Sequence, residues 1–239
     1  QNDVIDSLKK VMHKKDDADK ATICNELAFH FMNFDLEKAK EYALKARNFS
    51  KKHSDQQQLS VAYSNFGDFY YFTGYQDTAI FYYNKSIKIR TQTGDTSGAA
   101  LIHNYTGIAY YELGDYDHAL SHYEKSLDLY KKLNNKQGIA GALGNIGVIY
   151  KYWGQTDKAL DYYKQSLLIL NELNNLKGAA GCCINIGDVY KNQGKYELAV
   201  EKYLDAGEKY DSVDSQFGQA NAFNNIGIVY YEWKNFEKA

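Results

Sequence analysis

The residues whose type and spacing could do chemistry are, first, asparagines. Asn25, Asn65, Asn145, Asn185 and Asn225 stand on one 40-residue step, with Tyr105 in the register between Asn65 and Asn145. A carboxamide carries a donor and an acceptor together, so it can pair with both the N–H and the C=O of an extended peptide. A row of them is therefore either a ladder for a backbone or a set of bonds holding one repeat to the next. The sequence alone leaves both open.

Other candidates are weaker. His118 and His122 are four apart, a helical spacing that can hold a metal. The same register elsewhere carries Thr78, Lys158 and Leu198, then Tyr82, Tyr162 and Lys202, and no Cys or third His is placed nearby in the sequence, though Asp117 and Glu124 are close. No metal or cofactor is expected. Gly138, Gly141, Gly144 and Gly147 fail as a phosphate loop, because they step by three and no Gly-Lys-Ser/Thr follows. Close helix packing is the better account. Cys182 and Cys183 lack a neighbouring base or cation that would favour thiolate. No Ser/His/Asp, Cys/His or paired-carboxylate arrangement stands out, so no catalytic residue is expected and the segment is read as non-enzymatic.

Composition bounds the partners. The 239 residues include 28 basic and 30 acidic side chains, a formal charge of −2. That balance gives no field to draw in nucleic acid. No apolar run approaches the roughly 20 residues of a membrane span, so no membrane insertion is expected. Three cysteines form no disulfide framework.

The elements that position the asparagines follow from the same period. Gly67, Gly107, Gly147, Gly187 and Gly227 recur every 40 residues, followed three later by Tyr70, Tyr110, Tyr150, Tyr190 and Tyr230. Then come Gly74, Gly114, Gly154 and Gly194, the alanines 79, 119, 159, 199 and 239, the tyrosines 83, 123, 163 and 203, and Ser86, Ser126, Ser166 and Ala206. Spacing within each copy is helical rather than alternating. Each unit reads as helix A (about 57–73 and equivalents), a glycine turn, and helix B (about 76–92 and equivalents). Gly94, Asn134 and Asn174 share a position where a left-handed residue ends a helix. The small residues at the Gly67 and Ala79 positions let helices A and B approach, with the Tyr83-type ring filling the space beyond. Residues 1–15 read as a capping helix with Asp3 as N-cap and an apolar stripe of Val4, Ile5, Leu8, Val11 and Met12. Residues 16–55 are a diverged repeat; 56–95, 96–135, 136–175 and 176–215 are full repeats; 216–239 is a truncated one. All are expected to form a single array over 1–239, since a lone helical hairpin cannot bury its apolar face and a stack can.

The Gly…Tyr…Gly…Ala…Tyr…Ser/Ala pattern over about residues 17–239 resembles the tetratricopeptide repeat. Its 40-residue period resembles the longer variant of the Pins/LGN adaptors and the arrays at the N-termini of Bacteroidetes-type signalling proteins. The resemblance implies an all-α, right-handed α-solenoid of antiparallel helix pairs whose helices A line a concave groove. On that basis the groove residues are Asn65, Asp68 and Tyr71; Asn104 and Tyr111; Asn145, Lys151 and Tyr152; Asn185, Asp188 and Lys191; and Asn224, Asn225 and Tyr231. Lys and Arg are absent from the positions that would form a chaperone-type carboxylate clamp (Val61, Leu101, Gly141, Gly181 and Asn221, then Ser64, Asn104, Gly144, Ile184 and Asn224), so a C-terminal carboxylate is a poor ligand.

The expected function is a non-catalytic scaffold that binds a protein or peptide segment, as part of a larger signalling protein. Two alternatives stand beside it: an extracytoplasmic sensor segment of a bacterial kinase- or cyclase-type protein, and a spacer or homodimerisation module without a separate ligand. The start at Gln1 fits a signal-peptide cleavage point and equally a cloning boundary; the location is left open, with an extracytoplasmic place slightly favoured over a cytoplasmic one. Ala239, the helix-B alanine of its copy, predicts that the chain continues.

Overall fold

The computed structural model describes residues 2–12 and 15–234. These form α1 (Asn2–Met12), α2 (Asp17–Phe31), α3 (Leu36–Lys52), α4 (Gln56–Phe72), α5 (Gln76–Thr93), α6 (Thr96–Glu112), α7 (Tyr116–Lys132), α8 (Lys136–Tyr152), α9 (Thr156–Glu172), α10 (Leu176–Asn192), α11 (Tyr196–Asp211) and α12 (Gln216–Glu232). No strand occurs among the described residues. The even-numbered helices from α2 are helices A, and the odd-numbered ones from α3 are helices B. The helices group into two compact units, Gln1–Leu129 and Tyr130–Ala239. Ala239 lies outside the described residues.

The turns are built from residues that tolerate the left-handed region. Between helices A and B, Gly74, Gly114, Gly154 and Gly194 have φ of +82°, +77°, +70° and +70°. After helix B, Ser54, Gly94, Asn134, Asn174 and Asp214 take φ between 51° and 75°. Glycine, asparagine and aspartate reach this region at least cost. The next residue then starts the following helix. The side chains of Asp55, Asp95, Asn135 and Asn175 each accept a hydrogen bond from the backbone N–H three residues on, satisfying a donor the helix start leaves unpaired.

The repeated glycine has a direct packing role. A Cβ on Gly67 would meet the Tyr83 ring at 2.3 Å, one on Gly107 the Tyr123 ring at 2.6 Å, one on Gly147 the Tyr163 ring at 2.7 Å, and one on Gly187 the Tyr203 ring at 2.6 Å. The helix-B ring thus lies close against the helix-A backbone, in the space a methyl would need, rather than beyond it. Gly138 does the same for Tyr130, whereas Gly141 has open space. The helix-B serine closes the pair: Ser126 Oγ donates to the Ala100 carbonyl and Ser166 Oγ to the Ala140 carbonyl, both at 2.8 Å and buried.

Each unit has its own apolar core. The first is built from Ile5, Leu27, Phe31, Ala43, Ala46 and Phe66, then Ala79, Tyr83, Ile102 and Ala109. The second uses Leu160, Tyr163, Ile186 and Val189, then Ala199, Tyr203, Ile226 and Val229. At the N-terminus Asp3 lies inside the first turn of α1, not at its cap. Only part of the expected α1 stripe reaches the core: Ile5, Leu8 and Met12 pack inward, while Val4 and Val11 are exposed. The 3.6-residue period carries those two to the edge of the contact arc.

Candidate functional site

All fourteen residues singled out from the sequence lie on helices A: three on α4, two on α6, three on α8, three on α10 and three on α12. Tyr152, Asn224 and Tyr231 are exposed, Asn65 is buried, and the rest are half-buried. Successive helices A touch, α2 against α4 and α8 against α10, so each unit presents its own helix-A wall.

In the first unit that wall holds two clefts. One, of about 290 Å3, lies between Phe29, Asp68, Tyr71, Phe72, Tyr105 and Ile108, with Tyr83 behind them. The other, of about 310 Å3, includes Asn25, Glu26, His30, Asn65, Asp68, Arg90 and Tyr105. Asp68, Tyr105 and Phe29 belong to both.

The asparagines do not behave alike. Asn65 Nδ2 donates to the carbonyl of Asn25 at 3.2 Å and to its Oδ1 at 3.1 Å. Asn25 Nδ2 in turn donates to Gln58 O and Oε1, both at 3.0 Å. These amides bind α2 to α4, which is the structural role a periodic polar residue can also serve. Asn225 donates along its own helix to Asn221 Oδ1 at 3.3 Å. Asn145, Asn185, Asn104 and Asn224 are half-buried or exposed on their helices A.

The aspartates carry the distinct electrostatics. Asp68 Oδ1 accepts from the Tyr83 hydroxyl at 2.7 Å. Its equivalent 120 residues on, Asp188, accepts from the Tyr203 hydroxyl at 2.8 Å. Asp188 Oδ2 also meets Lys151 Nζ at 3.3 Å. Among the described residues no Lys, Arg or His pairs with Asp68. Burial in the aromatic cleft pushes its pKa up to about 6, only partly offset by the Tyr83 hydrogen bond. Arg90, at the rim of the neighbouring cleft, is committed to Asp95 and to Ser86 Oγ. Tyr71 donates to Glu112 across α4 and α6, and burial together with that carboxylate pushes its phenol up to about 12. Sequence reasoning grouped Asp68 with Asp188 but gave no sign that one is paired to a cation and the other is not.

The histidines form a contact the spacing did not suggest. His122 Nδ1 lies 3.1 Å from His103 Nδ1, across α6 and α7, and burial pushes both down to about 4. His118 instead faces Asp115, with Nδ1–Oδ2 of 2.7 Å. Among the described residues no group of three or more His, Cys, Asp or Glu is arranged to hold a metal. Burial pushes the Cys24 thiol up to about 11 and the Cys183 thiol up to about 12, the reverse of what a nucleophile needs. No described helix is long and apolar enough to cross a membrane.

Sequence models described as tetratricopeptide repeat match residues 98–172 and, in a second model, residues 60–93 and 180–206. No curated protein sequence matches. Solved structures share the fold at low identity. BtubC from P. vanneervenii is 21% identical with a TM-score of 0.76, the match covering 88% of each chain. A signal transduction ATPase with numerous domains, carrying a tetratricopeptide repeat sensor, from Pyrococcus horikoshii is 18% identical with a TM-score of 0.73; the match covers 96% of this chain and 40% of that one. A Rap protein complexed with competence and sporulation factor is 16% identical with a TM-score of 0.69, covering 98% of this chain and 70% of that one. At these identities the likeness is one of fold.

Proposed function

Because the chain belongs to the tetratricopeptide repeat family and is all-α, of the α-solenoid class, we propose that it is a protein-interaction scaffold holding a peptide segment against its helix-A walls, within a larger signalling protein. The observation that carries this is the first unit's helix-A wall. There Phe29, Asp68, Tyr71, Tyr105 and Ile108 converge on clefts that the hairpin packing does not fill. Hairpin stacking holds this surface in place before a ligand arrives, so less ordering entropy opposes binding. Half-buried aromatics supply area at few rotatable bonds, and the half-buried amides and carboxylates supply direction. A Rap protein of similar fold is complexed with competence and sporulation factor, which supports a partner-binding role for this fold. The tetratricopeptide sensor of the Pyrococcus protein supports a sensing role inside a multidomain chain. Asn65 is left out of the ligand surface, since its amide is spent on Asn25, and so are Asp188 and Lys151, whose charges are spent on each other. The remaining helix-A residues named from the sequence stay in it, each on the wall of its own unit. The scaffold so proposed is non-catalytic.

The test is selection from a random capped dodecapeptide display library against the full chain. Convergent peptides are expected, with hydrogen-exchange protection on α2, α4 and α6. Failure to converge, or protection confined to helices B, overturns the proposal.

A further inference from the structure

The two aspartates in equivalent register supply a comparison inside one molecule. Asp188 has a tyrosine hydroxyl on Oδ1 and, from 37 residues earlier, the Lys151 ammonium on Oδ2. Asp68 has the same tyrosine hydroxyl on Oδ1. The residue 37 before it is Phe31, which is 3% exposed and packed in the core. The carboxylate that has no cation partner among the described residues is the one that lines the aromatic clefts.

We propose that Asp68 and the aromatic side chains around it form a pocket for the guanidinium of an arginine in the bound peptide. This rests on the peptide-scaffold reading above and names the ligand chemistry of that same wall. A half-buried carboxylate with no counter-charge is costly, and an incoming cation relieves that cost while gaining a charge-assisted hydrogen bond. The walls are Phe29, Tyr71, Phe72 and Tyr105, whose ring faces attract a cation. Guanidinium suits such a place better than ammonium, because it is planar and sheds its weaker hydration more easily. The other charged or titratable groups facing this region are Glu26 and His30 on α2, Arg90 and Tyr83 on α5, and Tyr71 and Tyr105 flanking Asp68. Arg90 is committed to Asp95. Glu26 adds negative potential. A cleft of about 290 Å3 sits at the small end of ligand pockets, which fits one side chain.

The test uses the same dodecapeptide selection on the wild-type chain and on the Asp68→Asn and Asp188→Asn variants, followed by binding measurements on a selected peptide. The expected result is arginine enrichment at one peptide position in the wild type and in Asp188→Asn, falling to library background in Asp68→Asn while peptides still converge. Replacing that arginine by citrulline should weaken binding about tenfold or more, the loss of a charge-assisted hydrogen bond. Affinity for the arginine peptide should fall between pH 7.5 and pH 5 as Asp68 protonates, and affinity for the citrulline peptide should not. Convergence without arginine in the wild type, or arginine enrichment kept in Asp68→Asn, overturns the pocket and leaves the scaffold reading standing. A lysine peptide bound equally well overturns the choice of guanidinium. No convergence with any of the three chains overturns the scaffold reading itself.

Discussion

Asp68 and Asp188 occupy the same place in two copies of one hairpin, and each holds the hydroxyl of the tyrosine fifteen residues later. Their hairpins are locked in the same way, by Gly67 beneath Tyr83 and Gly187 beneath Tyr203. They differ in what the preceding helix A offers: Lys151 for Asp188, and phenylalanine in the matching register for Asp68. One carboxylate is neutralised within the chain. The other faces an apolar cleft and is held above the usual carboxylate range. The scaffold therefore fixes where a carboxylate stands, and a single residue in the neighbouring repeat decides whether its charge is paired within the chain.

The shared part of the comparison breaks most severely. Gly67→Ala or Gly187→Ala sets a Cβ 2.3 or 2.6 Å from the ring below. Tyr203 is fully buried and Tyr83 is 2% exposed, so neither ring has room to move. Each variant should lose about 2–3 kcal/mol of stability by denaturant melts. A loss under about 0.5 kcal/mol would mean that the ring does not rest on the backbone.

The next effect separates the two sites by sign. Asp68 has a raised folded pKa, so its protonated form favours the fold. That contribution is full below the unfolded carboxylate pKa near 4 and is lost as pH rises through about 6. Asp68→Asn keeps an acceptor for Tyr83 and carries no charge to bury. It should stabilise the protein by roughly 1–2 kcal/mol at pH 7.5, after allowance for solvent reaching the cleft, and by almost nothing at pH 4. Asp188→Asn strips Lys151 of its partner and should be neutral or destabilising by up to about 1 kcal/mol. Melting curves of both variants at the two pH values check this. Equal signs would remove the contrast.

Smaller effects sharpen it. Tyr83→Phe should cost about 1 kcal/mol at pH 7.5 and move the Asp68 titration, followed by carboxyl NMR, further upward, because it deletes that carboxylate's hydrogen-bond donor. Lys151→Met should cost less than about 1 kcal/mol, with salt reducing the difference from wild type, because the pair is partly exposed. A large, salt-insensitive loss would show that Lys151 acts through packing instead.

Much of the architecture is legible in particular residues. The glycines at 74, 114, 154 and 194 announce left-handed turns because few other residues tolerate them. The 16-residue offset from Gly147 to Tyr163 matches a ring against a backbone. The candidate site is legible only in outline. Placing Asn65, Asp68 and Tyr71 on helix A needs no coordinates. That Asn65 is tied to Asn25 and that His122 meets His103 does need them, since those contacts join different helices.

By itself the sequence determined the hairpin, its 40-residue register, its turns and the face on which polar side chains stand. A repeat reports local geometry, and equal positions repeat equal backbone demands. Only the tertiary structure decided which of those polar groups are satisfied. The field at a carboxylate falls off over a few ångströms and depends on whichever side chain a neighbouring helix brings there. Lys151 and Phe31 occupy one register that varies from copy to copy, so the pattern along the chain gives their difference no weight. In space it separates a closed ion pair from an open anionic cleft.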